Sequence, residues 1–510
     1  MENNKQTKIN IDDIANDLWA SCDELRGNIS SEQYMHIIIG IIFLKTISDK
    51  YNYAINALKE KYKDKFNDSI KNDSDLISEF FPLGLIVPDE AHWNYISGFT
   101  TDSSIGEKID QAFLKIENQN PRLKGLFNKQ YNSPELDKTR LGNVVRKFND
   151  YDFSQFNEDL VGRIYEYFLG EFFRKQGQKG GEFYTPKTVV ELLIDILDPN
   201  DNIKMYDPAC GTGGMFVQAR NYLHEQNKDY NKLVIYGQEY QSQTWKLAKI
   251  NLLLNGFNEN DIHLGRGSED TFKEDLHKGQ KFDIIVANPP FNLKKWYREE
   301  LLNDERFSWG MPPENNANYA WLLHIISKLN SRGKAGVILA NGSLSSSNKE
   351  ESLLRKKMIE ENIVDAIISL PDKLFYTTQI SASIWFFNKN KENENVLFIE
   401  ASKMGELKTK KLRFLTKDDI LKIKNVYDQH EQGEDVNVVG FAKTCTIDEI
   451  IENDYSLVPG RYVGFEQEVI DHEQLNHEIK ELKEELSVLF DELEDLIPQA
   501  KESIKKVLEK

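Results

Sequence analysis

From Asp201 onwards, short β-rich runs alternate with helical stretches, and this alternation limits the fold more than any other feature of the chain. Stretches with apolar residues at helical spacing, such as 243–254 and 318–329, separate several of the runs. Strands that alternate with helices are typical of a doubly wound, largely parallel sheet, so we predict a Rossmann-like α/β fold. The predicted strands are 203–206, 233–236, 282–287, 335–340, 364–370, 384–387 and 396–399.

The regions on either side of this pattern differ from it. Residues 8–150 indicate helices, for example at 11–25 and 32–50, and contain no acid/base pair, metal cluster or phosphate-binding loop. A chain of 510 residues exceeds the size of one hydrophobic core. We therefore predict a helical N-terminal domain over 1–155, an α/β domain over 156–465 and a C-terminal helix over 466–510.

The C-terminal helix carries an apolar seam with alternating steps of four and three residues, as in a coiled coil. An amphipathic helix packed on its own domain is the simpler interpretation. We favour docking against a partner helix, because the seam follows the last globular signal at 462–465. The seam consists of Leu475, Ile479, Leu482, Leu486, Leu489, Leu493 and Leu496, and Pro498 is expected to interrupt it.

Composition excludes several classes of protein. Three cysteines without a CxxC pair indicate neither a disulfide framework nor a zinc site, and no apolar run is long enough for a membrane span or a secretory signal. We therefore expect a cytoplasmic protein without a metal. The net charge of −19 predicts weak DNA binding by this chain alone, although residues 465–510 hold 14 acidic residues against 6 lysines and so account for much of it.

A glycine-rich turn, Asp207-Pro-Ala-Cys-Gly-Thr-Gly-Gly-Met215, lies between a predicted strand and a predicted helix. Glycine lets the backbone approach a ligand closely, and the turn lacks the patterns of a dinucleotide site or a P-loop. Glu239 ends the next strand about 25 residues later, where an acidic side chain can accept hydrogen bonds from ribose hydroxyls. A structural turn is the alternative interpretation.

The most specific signal is Asn288-Pro289-Pro290-Phe291, which ends the strand 282–287. The prolines fix φ and remove two backbone donors, so the segment leaves the sheet as a rigid arm. The Asn288 side-chain oxygen and the Pro289 carbonyl can each accept one N–H of an aromatic amine, and Phe291 can stack on its ring.

A further loop, Gly181-Glu-Phe-Tyr-Thr-Pro-Lys187, precedes a helix predicted over 189–197. Thr185 is predicted as the N-cap and Pro186 as the first helical residue. Phe183 and Tyr184 would then pack on a ligand. The alternative is an ordinary capped helix start.

Taken in order, these motifs resemble the amino-methyltransferases of DNA, and the position of the aromatic loop before the glycine-rich turn resembles the modification subunit of type I restriction-modification systems. The resemblance covers almost the whole chain, including 18–45, 159–169, 370–375, 396–402 and 455–462. It implies a DNA methyltransferase that uses S-adenosylmethionine to methylate N6 of a flipped-out adenine in double-stranded DNA. Phe291 stands where many relatives have Tyr.

The resemblance also implies roles for individual residues. Asn288, Pro289, Pro290 and Phe291 would form the catalytic arm that holds the adenine. The acidic residue near the cofactor adenine could be Asp270 or Glu269. The residues implied to bind S-adenosylmethionine are Glu182, Phe183, Tyr184, Thr185, Pro186, Lys187, Asp207, Gly211, Thr212, Gly213, Glu239 and Asp270.

No target-recognition domain follows residue 465, so the resemblance implies a separate specificity subunit, with two modification subunits for each, and a restriction subunit that cleaves and translocates. Three alternatives stay open at this point. Protein-glutamine and ribosomal-RNA methyltransferases share similar proline turns. A non-catalytic scaffolding subunit could retain the fold. A self-contained restriction–methylation enzyme is disfavoured, because no nuclease motif or P-loop is visible.

Overall fold

The computed structural model describes residues 11–27, 29–156, 158–176, 185–265, 270–375, 380–409, 412–465 and scattered positions between 480 and 498. By its internal contacts the chain divides into a unit of residues 1–463 and a unit of residues 464–510. The predicted boundaries at 155/156 and 465/466 stay predictions.

The first part of the larger unit is helical, as predicted. Its helices are α1 (Ile11–Asp23), α2 (Ser31–Tyr62), α3 (Asp68–Lys71), α4 (Ser74–Ser78), α5 (Trp93–Ser97), α6 (Ile105–Gln119), α7 (Lys138–Phe148) and α8 (Glu158–Gln176). Helix α2 begins where Ser30 and Gln33 form a capping box. Across the described residues, no helix is both long enough and apolar enough to cross a membrane.

A large mixed sheet forms the second part. Its ten strands, counted over the described residues, follow the order β11-β12-β8-β6-β7-β5-β4-β1-β2-β3, while β9 and β10 form a separate hairpin. The strands are β1 (Lys204–Asp207), β2 (Val234–Gly237), β3 (Ile262–Leu264), β4 (Phe282–Ala287), β5 (Leu329–Ala340), β6 (Val364–Ser369), β7 (Ala382–Asn388), β8 (Val396–Glu400), β9 (Glu406–Thr409), β10 (Leu412–Phe414), β11 (Asn437–Val438) and β12 (Ala442–Cys445).

Strands β5, β4, β1, β2 and β3 pair in parallel, whereas β7 runs antiparallel between β5 and β6. Strands β6 and β7 are buried along their whole length, as expected for strands covered on both faces. The helices of this part are α9 (Lys187–Leu197), α10 (Gly214–Glu225), α11 (Ser242–Leu254), α12 (Asn318–Lys328), α13 (Lys349–Glu360), α14 (Lys417–Glu431) and α15 (Ile447–Glu452). The predicted doubly wound α/β fold is confirmed.

The helical part packs closely on the α/β part through α8 and α11. A Cβ placed on Gly162 of α8 would lie 1.9 Å from the side-chain oxygen of Asn255, which follows α11. A residue with a Cβ at this crossing would require the Asn255 side chain to move. The Tyr165 hydroxyl, one turn along α8, donates a 2.7 Å hydrogen bond to the Leu247 carbonyl of α11.

In the smaller unit, the described positions from Lys480 to Pro498 are helical and exposed. Pro498, where an interruption was expected, is itself still helical. Five apolar side chains at these positions are between 44% and 58% exposed: Leu486, Phe490, Leu493, Leu496 and Ile497.

Candidate active site

The carboxyl ends of three neighbouring strands bring the sequence motifs together. Strand β1 lies between β4 and β2 and is parallel to both, with Tyr206 opposite Ile285 and Asp207 opposite Gly237. The glycine-rich turn, Glu239 and the proline arm therefore leave the sheet at the same edge. This is where ligands bind in open α/β sheets.

The glycine-rich turn depends on glycine at two positions. Gly211 has φ +52° and Gly213 has φ +78°, in the left-handed region that disfavours a Cβ. A Cβ on Gly211 would meet no atom within 4 Å, so open space lies beside this part of the backbone. The carbonyl of Thr212 accepts a 2.9 Å hydrogen bond from the buried Asn251 side chain of α11, which fixes the turn from below.

Glu239 is bound to the backbone around it. One carboxylate oxygen accepts from the Gly211 N–H at 3.0 Å, and the other accepts from the Gln241 N–H at 2.7 Å. Each carboxylate oxygen can accept more than one hydrogen bond. The carboxylate is therefore held in one orientation at this edge of the sheet.

Asp207 is the most perturbed acid of the site. Its side chain is buried at 2% exposure, and the Ala209 N–H donates to it at 3.0 Å. Burial, together with the negative charge of Glu239, raises the pKa of Asp207 to about 8, although the hydrogen bond from Ala209 acts in the opposite direction. Two acids in this position suit a ligand that brings a positive charge.

The side chain of Asn288 is oriented by a residue that lies far away in sequence. Its amide nitrogen donates a 2.8 Å hydrogen bond to the hydroxyl oxygen of Thr185. Its amide oxygen is buried and has no hydrogen-bond partner among the residues that the structure describes. Buried polar atoms are nearly always paired, so this oxygen is suited to accept a hydrogen bond from a bound ligand.

This contact corrects the prediction for the loop before α9. Thr185 does not cap the helix, because α9 begins at Lys187, Pro186 occupies the cap position and no side chain caps the helix. The Thr185 hydroxyl accepts from Asn288 instead. The prediction that Pro186 is the first helical residue is also wrong by one position.

The arm beyond Asn288 is anchored through Asn318, which the sequence analysis did not identify. The Asn292 N–H donates to the Asn318 side-chain oxygen at 2.9 Å, and the Asn318 amide donates back to the Asn292 side chain at 2.9 Å. Asn318 is buried, and Asn292 has φ +53°. The paired amides thus hold the chain in a conformation that favours asparagine or glycine.

Phe291 lies beside a second aromatic ring. Its ring centroid is 6.2 Å from that of Phe375, with the planes at 78°, an edge-to-face arrangement. Phe375 follows β6 at the same edge of the sheet. The sequence analysis included Phe375 in the region of family resemblance at 370–375 and gave it no role, although its position after a predicted strand was a usable signal.

The remaining predicted site residues lie at the border of the site, at the surface or outside the described residues. Asp270 accepts from the Lys273 N–H at 2.7 Å and lies 3.5 Å from Arg298. Its neighbour Thr271 donates to the Pro208 carbonyl at 2.6 Å, so this segment borders the glycine-rich turn. Lys187 is exposed, with its ammonium 3.8 Å from Glu191. Glu182, Phe183, Tyr184 and Glu269 lie outside the described residues.

No group of three or more His, Cys, Asp or Glu side chains that could hold a metal ion occurs in the part of the chain that the structure describes. Cys210 is buried, and burial raises its pKa well above the usual value, which leaves the thiol neutral. The arrangement therefore suits positioning and charge complementarity rather than thiolate chemistry from Cys210.

Comparisons with known proteins match both parts of the chain. A family model described as N-6 DNA Methylase matches residues 156–471, and one described as HsdM N-terminal domain matches residues 14–148. Among curated proteins, the Type I restriction enzyme MjaIX methylase subunit of Methanocaldococcus jannaschii is 37% identical over 515 residues, covering 96% of this chain and 90% of that protein.

Two further relatives agree with this match. The Type I restriction enzyme HindI methylase subunit of Haemophilus influenzae is 38% identical, covering 71% of this chain and 83% of that protein. The solved structure of the type I restriction-modification system methyltransferase subunit from Streptococcus thermophilus has a TM-score of 0.77 at 27% identity, covering 89% of this chain and 99% of that one.

Proposed function

The chain belongs to the N-6 DNA methylase family, among the type I restriction enzyme methylase subunits, and we propose that its turn and arm perform the adenine methylation of this family. It is thus an adenine-specific DNA methyltransferase of a type I restriction-modification system. The single observation that carries the assignment to this site is the buried, unpaired side-chain oxygen of Asn288 beside the glycine-rich turn. We propose S-adenosylmethionine as the methyl donor and duplex DNA as the substrate.

The residues present fit S-adenosylmethionine. The open space beside Gly211 admits a ligand against the backbone of 211–213, and the acidic pair suits its charge. Asp207 would bind the ammonium group, Glu239 the ribose hydroxyls and Asp270 the adenine ring, with 182–187 on the other side. When bound, the cofactor supplies a methyl group attached to a positively charged sulfonium. Its neutral thioether is a good leaving group.

The arm prepares the target amine. The adenine is rotated out of the duplex at a cost of roughly a few kcal/mol. The Asn288 oxygen and the Pro289 carbonyl each accept one N–H of its amine, which directs the nitrogen lone pair toward the donor. Phe291 stacks on the base. Rate enhancement then comes mainly from holding the two reactants in near-attack geometry, and solvent can accept the surplus proton after transfer.

The match to type I restriction enzyme methylase subunits supports an assembly with further subunits. We propose that a specificity subunit binds the C-terminal helix of 466–510, with two modification subunits for each specificity subunit, and that a restriction subunit joins for cleavage. The exposed apolar side chains of that helix support a docking role.

Transfer of a tritiated methyl group to duplex DNA tests this function. The chain is purified with the products of the neighbouring genes, and the modified adenines are mapped. We expect incorporation at N6 of adenine within one sequence context. The proposal would be abandoned if calorimetry detected no binding of S-adenosylmethionine, with or without the companion proteins.

Thr185→Val tests the positioning of Asn288. Valine keeps the shape of threonine but removes the oxygen that accepts from Asn288. Because a hydrogen bond of this kind contributes about 1 kcal/mol, we expect kcat to fall about 5- to 10-fold. The dissociation constant of S-adenosylmethionine should change little, because valine keeps the shape of Thr185 beside the cofactor and the lost oxygen is the one that Asn288 contacts. Thr185→Ser keeps the oxygen and should restore kcat; equal losses in both variants would contradict the role.

The high pKa of Asp207 predicts a pH-dependent affinity for the donor. In the free protein the carboxyl is mostly protonated below about pH 8, and binding of an ammonium group favours its charged form. Affinity should therefore increase from pH 6 to 7.5, by up to about tenfold per pH unit, with release of a proton. Calorimetry in buffers of different ionisation enthalpy measures both quantities.

Two variants control this measurement. Asp207→Asn should bind more weakly and lose both the pH dependence and the proton release, since an amide does not titrate. Asp283→Asn changes an acid at the amino ends of the strands, opposite the site, where Asp283 accepts from the Lys204 N–H at 2.8 Å. It should behave as wild type. A pH dependence that survives in Asp207→Asn would assign the proton to another group.

A further inference from the structure

The segment that follows the arm is unusually basic for this chain. Between Asp283 and Glu299 the sequence has three cationic residues, Lys294, Lys295 and Arg298, and no acidic residue. The chain as a whole has a net charge of −19. Residues 292–298, which we name the lysine turn, therefore present local positive charge directly beside the proposed adenine site.

The backbone of the lysine turn is held at both ends. The Leu293 carbonyl accepts from the Ala317 N–H at 3.0 Å. Trp296 is 2% exposed, and its indole N–H donates to the Pro313 carbonyl at 3.0 Å. The turn is thus anchored by the residues on either side of Lys294 and Lys295, and not by the lysines themselves.

Lys295 adopts a backbone conformation that lysine does not favour. Its φ is +60°, in the left-handed region where residues with a Cβ are uncommon. The Arg298 guanidinium donates a 2.8 Å hydrogen bond to the Lys295 carbonyl and so stabilises this conformation. Residues held in such conformations by their surroundings are frequent at functional sites.

The side chains of Lys294 and Lys295 differ from that of their neighbour Arg298, because they make no polar contact with the described residues. Arg298 lies 3.5 Å from Asp270 and donates to backbone carbonyls. Lys294 and Lys295 are exposed, and within the described part of the chain neither makes an ion pair or a side-chain hydrogen bond. Both ammonium groups are therefore available to a ligand.

We infer that Lys294 and Lys295 bind the DNA phosphates that flank the flipped adenine, an inference that rests on the proposed function. Lys294 follows Phe291 by three residues, so their Cα atoms are at most about 11 Å apart. A flipped base stays attached to its backbone, which must pass the mouth of the pocket. Ammonium groups on a preorganised turn suit phosphate oxygens.

Such contacts would position DNA without reading its sequence. This agrees with a chain that leaves sequence recognition to a separate subunit. It also explains how a protein of strongly negative net charge holds a polyanion at the one place where the chemistry requires it. The rest of the positive charge needed for binding would come from the partner.

The test compares wild type with a Lys294→Gln, Lys295→Gln double variant, each as the full chain assembled with its specificity subunit. The probe is a fluorescent duplex with one mispaired adenine, because mispaired bases leave the stack most readily. We expect the slope of log K against log salt to decrease in magnitude by about 1.8, or 0.9 for each lost phosphate contact. The KM for DNA should rise, with unchanged affinity for S-adenosylmethionine.

A matched control comes from the N-terminal helical part. Lys63 and Lys65 are exposed, and Lys63 also has a positive φ, of +46°. Lys63→Gln with Lys65→Gln removes the same charge from an exposed pair that also includes a residue of positive φ, and it should leave the salt slope at its wild-type value. An equal decrease in both double variants would mean a general effect of net charge and would overturn the inference.

Two other outcomes would also overturn it. One is a Lys294/Lys295 double variant with the wild-type salt slope. The other is loss of the specificity subunit from that variant during purification, which would assign the lysines to a protein contact. Because the binding measurement does not require methyl transfer, a wild-type complex that bound DNA but transferred nothing would contradict the proposed function and not this inference.

Discussion

Replacing Asn288 with alanine is expected to lower kcat for methyl transfer by about 100- to 1000-fold, the range seen when one preorganised polar group is removed from an active site. The reason is the unpaired oxygen of Asn288, which has no other partner in the described structure and no substitute after truncation. Binding of S-adenosylmethionine should stay within about threefold of wild type, since a hydrogen bond to the target amine contributes nothing to it. Single-turnover transfer and calorimetry measure the two effects separately.

Asn362→Gly is the matched control for this substitution. Asn362 also has a buried amide oxygen without a partner, but it lies before the amino end of β6, away from the site. Its φ of +50° suits glycine, so removal of its side chain introduces no strain. Transfer should stay at the wild-type rate. Retained activity in Asn288→Ala would remove this residue from catalysis.

Deleting residues 466–510 should weaken assembly with the specificity subunit and with it site-specific methylation. The described positions of this helix expose apolar side chains at Leu486, Phe490 and Leu493, spaced by four and three residues on one face. A continuous exposed apolar face marks a surface that binds another protein. The remaining chain should keep its affinity for S-adenosylmethionine, because the glycine-rich turn and the acids lie in the other compact unit.

Two point variants distinguish a loss of docking from general damage to the protein. Leu493→Glu places a charge on the apolar face and should weaken co-purification with the specificity subunit at least about tenfold, as expected when a charge is buried without a partner. Ser487→Glu adds the same charge beside that face and should assemble normally. An intact complex after deletion of 466–510 would refute the docking role.

Local residue patterns were enough to predict the larger part of the fold and the family. Each strand–turn–helix unit has its own signature in adjacent residues, so the fold class and most strands of the sheet were predicted, and β4 was predicted with its observed ends. The family and the enzyme class followed from the order of short motifs, and the comparisons confirm both. Strands β3 and β9 to β12 were missed, because these runs of two to four residues lack the consecutive apolar residues that mark the equally short β1 and β2.

What the amino-acid sequence determined by itself was the set of chemical groups and the edge of the sheet where they meet, since both depend on neighbouring residues. The tertiary structure alone decided how those groups are tuned. Thr185 orients Asn288 across 103 residues, and the pKa of Asp207 rises because the fold buries it beside another acid. Contacts between distant segments leave no period or motif in the chain, so only the packed structure specifies them.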